Sequence, residues 1–371
     1  MTTVPMNMNA SRLASIATSM ALIASLVACG GGGGGGSDAA PAPTPAPAPT
    51  PAPTPAPAPA PAPTDGGLGT TVQPTTYATG SREATAYAAL NAARLAGGFG
   101  TVAQNVALDD EADNQASFVA ANYAIDSGFG GLDWDAAALA ALQPDGSETA
   151  HIQLSTLPGY TAYSATDRAV HFGYPSTGIV AESVSFFDAV AEGDNGTTCV
   201  TGLLSSPGHR QAILDPRFRD VGIGYSTLSQ PFSNTNATLF GQACYIATAA
   251  QATTYSPTGE ATAPTGWVAI FPVDGATVSS TGDSHGHGYA PSVTVDSSLA
   301  LTVTSFTIAD GNGNIVPTTL NLDAGQSGFA NWAFATPNAV LAASMTYTVN
   351  FTGSAGGTTI SKTWTFTTPA Q

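Results

Sequence analysis

Positive charge is what this 371-residue chain has least of. Lys and Arg total 8, only one of them lysine (Lys362), against 25 Asp and Glu, for a net charge of −17. A surface that tracks a phosphate backbone needs clustered Lys and Arg. The densest local group here is Arg210, Arg217 and Arg219, so the balance argues against nucleic-acid binding. Charge of either sign is scarce, at 9% of residues, while 43% are hydrophobic; a disordered polyelectrolyte has the opposite balance and is excluded. Between residues 77 and 255 there is no G-x-G-x-x-G, no P-loop and no G-x-S-x-G, so the nucleotide-binding and nucleophile-elbow fingerprints are missing. Cysteine is limited to Cys29, Cys199 and Cys244.

What is present begins with an export pattern. Arg12 precedes an apolar run from Leu13 to Ala28, which ends in Leu26-Val27-Ala28-Cys29. The run is shorter than the roughly 20 residues of a membrane-spanning helix and suits the apolar core of a signal peptide. Leu-Val-Ala-Cys resembles the bacterial lipobox, which implies cleavage after residue 28 and acylation of Cys29. Gly30 follows the cysteine, which in that family of signals implies the outer membrane or cell surface.

Residues 29–76 read as a tether. Gly30 to Gly36 has no side chains, and from Pro41 to Pro63 every odd position is proline. Proline fixes φ and removes the backbone donor, so this stretch neither pairs into a sheet nor continues a helix. As a polyproline-like rod at ~3.1 Å per residue it would span about 70 Å. In an exported protein the two remaining cysteines, Cys199 and Cys244, suggest a disulfide, with free thiols as the alternative.

Residues 77–255 carry mixed helix and strand signals. Ser81 is a candidate N-cap for a helix ending at Gly97-Gly98. Asp109-Asp110-Glu111 suits the start of a second helix, with Ala112, Ala116, Val119 and Tyr123 at helical spacing. A third helix is expected from about Thr166 to Gly173. Strands are expected over Ile179–Phe187, Asp220–Ser226 and Ala237–Thr248, giving an α+β layer structure.

Residues capable of chemistry then recur in order. His151-Ile152 leads to Pro158-Gly159-Tyr160, Asp167-Arg168 and Phe172-Gly173-Tyr174. Glu182 follows, then Ser205-Ser206-Pro207-Gly208-His209-Arg210-Gln211-Ala212-Ile213-Leu214 and Asp220-Val221-Gly222-Ile223-Gly224-Tyr225. With Leu90-Asn91 and Arg94 in the opening helix, this ordered set resembles the bacterial branch of the CAP superfamily (SCP domains). The resemblance implies a CAP-type α-β-α sandwich whose cavity holds two histidines, His151 and His209, and an acid, Glu182. Here Ala181-Glu182-Ser183 stands where the family has Gly-Glu-Asn. The resemblance also implies a further acid, for which Asp188 and Glu192 lie in the right stretch. Two neutral imidazoles and one carboxylate suffice for an open site for a divalent metal such as zinc. The same groups can hold a small or lipidic ligand by hydrogen bonds, or act as a base with an orienting carboxylate. Ser205 and Ser206 read as part of a turn or helix entry, and Arg210, Arg217 and Arg219 as local ion-pair partners.

After a linker at Pro257–Pro264, residues 258–371 show short alternating runs: Trp267–Phe271, Ser292–Asp296, Ala300–Ala309, Met345–Gly353 and Thr358–Thr368. Asp310-Gly311-Asn312-Gly313-Asn314 is a strong turn signal. Repeated short strands predict an antiparallel β-sandwich, and the segments around Phe271–Thr277 and Tyr347–Thr368 resemble bacterial Ig-like modules. Asp283-Ser284-His285-Gly286-His287 reads as a loop. The expectation for the whole chain is a lipid-anchored cell-envelope protein, with the membrane as partner through Cys29 and a non-catalytic ligand-binding role favoured over a hydrolase. Contacts of the Ig-like module with envelope or surface proteins are the adhesion alternative.

Overall fold

Helical periodicity in five segments between residues 82 and 214, and two-residue alternation in the strands, govern how the chain buries its apolar side chains. The computed structural model describes residues 68–72, 74–122, 124–125, 132–133, 151–175, 179–188, 196–232, 239–250, 263, 266–282, 287–322 and 330–370. The signal, Cys29, the glycine run, the proline rod, Glu192, Asp283 and His285 lie outside these residues, as does the side chain of Asp188. The described part is mixed α+β, with five helices and three four-stranded, mostly antiparallel sheets beside a two-stranded ribbon.

The first helix, α1 (Arg82–Gly97), starts where Ser81 accepts the Ala84 N–H at 3.1 Å and stops at Gly98, whose φ of 76° is left-handed. Both ends follow from side-chain capping and from glycine's freedom at positive φ. Arg94, fully buried near its end, donates to the carbonyls of Gly100, Ile213, Phe99, Asp215 and Phe218 at 2.7–3.3 Å. One guanidinium thus satisfies carbonyls from two distant chain segments that would otherwise be buried without donors.

The first sheet has the order β1-β5-β6-β4, with β1 (Ala103–Gln104), β4 (Ile179–Asp188), β5 (Asp220–Phe232) and β6 (Leu239–Ala250). β1 pairs parallel with β5, and the others are antiparallel. Alternation along β6 sorts its side chains to two faces. Cys244 and Ile246 join an apolar cluster with α1, α4 (Thr197–Ser205) and α5 (Pro207–Leu214). Tyr245, Ala247 and Ala249 join a second cluster with α2 (Val106–Asn122) and α3 (Ala165–His171). Helices therefore cover both faces. The Cys199–Cys244 disulfide pins α4 to β6, with a Cα–Cα distance of 6.2 Å.

Gly222 and Gly224 explain how closely α2 approaches β5. A Cβ added at either would sit 2.0–2.3 Å from backbone atoms of Leu108 or Ala112. That contact lets two α2 carboxylates cap the strand: Asp109 accepts the Ile223 N–H at 3.1 Å and Asp113 the Tyr225 N–H at 3.2 Å. Beyond the short β1, helix side chains replace a neighbouring strand at this edge. The ribbon is β2 (Ala124–Ile125) with β3 (Leu132–Asp133).

The C-terminal strands form two sheets. One has the order β10-β13-β14-β8 (Leu301–Ala309, Thr346–Ala355, Thr358–Thr367, Ala276–Thr277), the other β11-β12-β9-β7 (Thr318–Asn321, Trp332–Pro337, Ser292–Val295, Val268–Phe271). Trp332 from one and Trp364 from the other are buried in a shared apolar cluster. Asp310 turns the chain as expected, accepting the N–H groups of Asn312 and Asn314 at 2.9 and 2.8 Å. The pairing departs from all-antiparallel at β8, which runs parallel to β14. That cluster also contains the α1, α4 and α5 residues, so one apolar core runs from the first sheet into the last two.

Candidate functional site

A buried row of ionisable groups crosses from α2 to the start of the segment at residue 151. Glu182, on β4, sits with 2% of its side chain exposed. Its Oε1 lies 2.7 Å from His151 Nδ1, and its Oε2 accepts from Arg168 Nη2. Arg168, fully buried on α3, places Nε and Nη2 each 2.9 Å from Oε1 of Glu111, itself fully buried on α2. Arg168 Nη1 also donates to the backbone oxygens of His151 and Tyr163 at 3.2 Å. The same guanidinium therefore holds both the main chain of His151 and the carboxylate that orients its ring. Nearby, Gln153 donates to Asn114 and Gln115 and accepts the Thr161 N–H at 2.7 Å, fastening the strand of chain next to His151.

The electrostatics follow from this packing. Burial works against the charge of Glu182, but Arg168 and His151 outweigh it and hold the carboxyl below its ordinary range. Burial and the neighbouring Glu182 charge push Glu111 well above the usual carboxyl range, with Arg168 opposing; two carboxylates this close do not both ionise readily. Glu111 is thus favoured as the protonated partner. Burial lowers Arg168, yet Glu182 and Glu111 more than offset that and keep it charged. His209, on α5, is pushed down to about 4 by burial first and then by His151, so it is neutral at pH 7. An ionised Glu182 only accepts, so His151 donates to it from Nδ1.

Of the expected site residues, His151 and Glu182 are in direct contact, and His209 is close enough for the His151 charge to disfavour its protonation. Asp188 stands six residues from Glu182 at the far end of the same strand, about 20 Å away at the ordinary strand rise. The acid next to Glu182 is Glu111. Sequence reasoning absorbed it into a run of acids at a helix start. The missed signal is its phase, since Leu108, Glu111, Gln115 and Phe118 are buried together on α2 at the i, i+3, i+7 spacing of a core-facing stripe. Arg168 was likewise passed over as part of a family match.

Of the three arginines expected as local ion-pair partners, Arg217 places Nη2 2.6 Å from Asp215. Arg219 donates to the carbonyls of Pro216 and Phe218. Arg210 has no carboxylate partner among the described residues. Ser205 donates to Gly202 O within its own helix at 2.6 Å, and Pro207 is the first residue of α5, a helix entry as expected.

No protein-family model and no curated protein matches this chain. Among the described residues no helix is long and apolar enough to cross a membrane. No three His, Cys, Asp or Glu side chains among them gather in a metal-holding group. The arrangement offers a metal two imidazole nitrogens, and Glu182 would have to leave Arg168 or His151 to supply a third ligand.

Proposed function

We propose that this is an exported, lipid-anchored cell-envelope protein in which residues 77–255 form a CAP-type α-β-α sandwich and residues 258–371 an Ig-like β-sandwich. Its His151–Glu182–His209 site binds a small or lipidic ligand through an uncharged polar group. The observation that carries the reading is the buried Glu111–Arg168–Glu182–His151 row. With Glu111 protonated, the Glu182 and Arg168 charges offset each other within the row, and His209 is neutral at pH 7. A neutral ligand then gains directed hydrogen bonds at His151 Nε2 and His209 without a desolvated counter-charge. The Glu182-oriented imidazole also has the geometry of a general base, which keeps a hydrolase acting on envelope or peptide material as the second reading. Among the described residues no serine or cysteine is hydrogen-bonded to either histidine.

The test is native mass spectrometry of the exported chain carrying Cys29→Ala. A retained small molecule should disappear in His151→Ala and His209→Ala, and its persistence in both would reject the site. Retained zinc lost in the same variants would replace the ligand reading with a metal one. Ester or peptide turnover abolished in Glu182→Gln would replace it with the hydrolase. Fatty-acid labelling of the wild-type chain, lost in Cys29→Ala, checks the anchor separately.

A further inference from the structure

Arg210 directly follows His209 on α5 and is fully buried. Its guanidinium carbon lies 5.4 Å from the ring centroid of Phe271 and 5.1 Å from that of Tyr289, and Nη2 donates to Ala290 O. Nε and Nη1 have no hydrogen-bond partner among the described residues. Among the described residues, the contacts that compensate this buried charge come from Phe271 in β7 and from Tyr289 and Ala290 just before β9. Arg94, equally buried, is instead satisfied by five carbonyls, of Phe99, Gly100, Ile213, Asp215 and Phe218, none of them in the C-terminal sheets. Burial accordingly lowers the Arg210 affinity for its proton, with Tyr289 partly restoring it.

The two halves of α5 are held differently. Its C-terminal half is fastened to the first sheet and to α1, where Ala212 O accepts from Thr248 Oγ1 at 3.1 Å and Ile213 O from Arg94 at 2.7 Å. Its N-terminal half carries His209, and Ser206 there makes no side-chain capping bond. Arg210, between the two rings, anchors that half to the C-terminal sheets. Tyr289 also donates to Leu204 O at 3.2 Å in the preceding helix, and Trp267 donates to Gly98 O at 3.1 Å beside α1. Successive residues on an eight-residue helix move together, because each is 1.5 Å and a third of a turn from the next.

We infer that the C-terminal sheets are a positioning part of the histidine site: by clasping Arg210 between Phe271 and Tyr289 they fix the turn of α5 that presents His209. Arg210 is a positioning residue in this arrangement. The inference rests on His209 belonging to the site but not on which ligand the site takes.

The test uses the full exported chain and needs no ligand. Phe271→Leu and Tyr289→Leu remove one ring face each, Arg210→Lys keeps the charge but loses the planar stack, and Val349→Ala perturbs the C-terminal core away from the junction. Hydrogen exchange of the 206–214 peptide and acylation of His209 by diethyl pyrocarbonate are read together, with exposed His171 as the internal reference. Loss of a desolvated cation–aromatic contact should speed both at 206–214 by about tenfold or more in the ring and lysine variants. Val349→Ala should leave the ratio of His209 to His171 labelling unchanged. Unaltered α5 protection in both ring variants, or an equal change in Val349→Ala, would overturn the inference and leave the sheets a purely global stabiliser. If Arg210→Lys does not fold, the two ring variants decide the matter alone. Failure of the ligand reading is separable, since it shows in the mass of the retained species and not in α5 protection.

Discussion

Replacing Arg168 by Met tests the buried row most directly. The side chain is fully buried between two carboxyls, each in direct contact with it. Methionine fills a similar volume but leaves Glu182 ionised, buried and paired only with His151. Breaking a buried pair by removing one partner costs about 3–5 kcal/mol, equivalent to roughly 6–20 °C in Tm for a domain of this size. The penalty depends on pH with a definite sign. In the wild type the Glu182 carboxyl is held below its ordinary value, so its stabilisation is present above the unfolded-state value and is lost as pH falls through the folded one. In Arg168→Met the same carboxyl becomes harder to ionise than in the unfolded chain, so the variant is penalised as pH rises and relieved as pH falls. Thermal melts followed by circular dichroism from pH 7 to pH 4 should therefore show the gap between the two proteins narrowing with acid. Glu111→Gln is the companion. Glutamine mimics a protonated glutamate, so its cost at pH 5 should stay below about 1 kcal/mol, well under the 3–5 of a broken pair. Because the Glu111 carboxyl is raised in the fold, the wild type loses stability as pH climbs above the ordinary carboxyl range, and the variant does not. The difference should move in favour of Glu111→Gln towards pH 8. A small, pH-independent effect of Arg168→Met, or a loss of several kcal/mol in Glu111→Gln, would refute the charge assignment.

Two further expectations concern the scaffold. Gly222→Ala and Gly224→Ala would each drive a Cβ into the backbone of α2, and should destabilise by about 1–3 kcal/mol or more, as overpacking does; wild-type denaturant midpoints would contradict the close helix–strand contact. Reducing the Cys199–Cys244 bond, which closes a sequence separation of 45, should cost about 4 kcal/mol in the chain-entropy model. The check is chemical denaturation with and without reductant, where coincident curves would show that the bond contributes nothing.

Local pattern was enough for the elements that satisfy themselves locally. Ser81 and Gly98 delimit α1 through their own side-chain and backbone preferences, and the Asp310–Asn314 turn follows from a carboxylate that bonds the next backbone N–H groups. The strands expected at Ile179–Phe187 and Asp220–Ser226 fall within β4 and β5, that expected at Ala237–Thr248 overlaps β6, and the disulfide suggested for Cys199 and Cys244 is formed. Helix α4 was missed because Thr197-Thr198-Cys199-Val200 opens it with residues that favour strands. It is helical where a disulfide and a buried face hold it. β12, Trp332–Pro337, has buried residues on both faces, so it lacks the alternation by which a half-exposed strand is recognised.

The candidate site divides in the same way. The ordered motifs that resemble CAP sequences pointed to His151, Glu182 and His209, and the fold brings the first two into direct contact. The surroundings of Glu111 and of Arg210 were decided only by tertiary structure. An acid near a helix start looks like any dipole-compensating residue until packing places it against a second carboxyl and an arginine. An arginine in an acidic chain looks like an ion-pair partner until the fold buries it against two aromatic rings, with no carboxylate partner among the described residues. In both cases the charge state depends on burial and on neighbours 57 or more residues away in the chain. Those are properties of the folded arrangement, and no local window of sequence contains them.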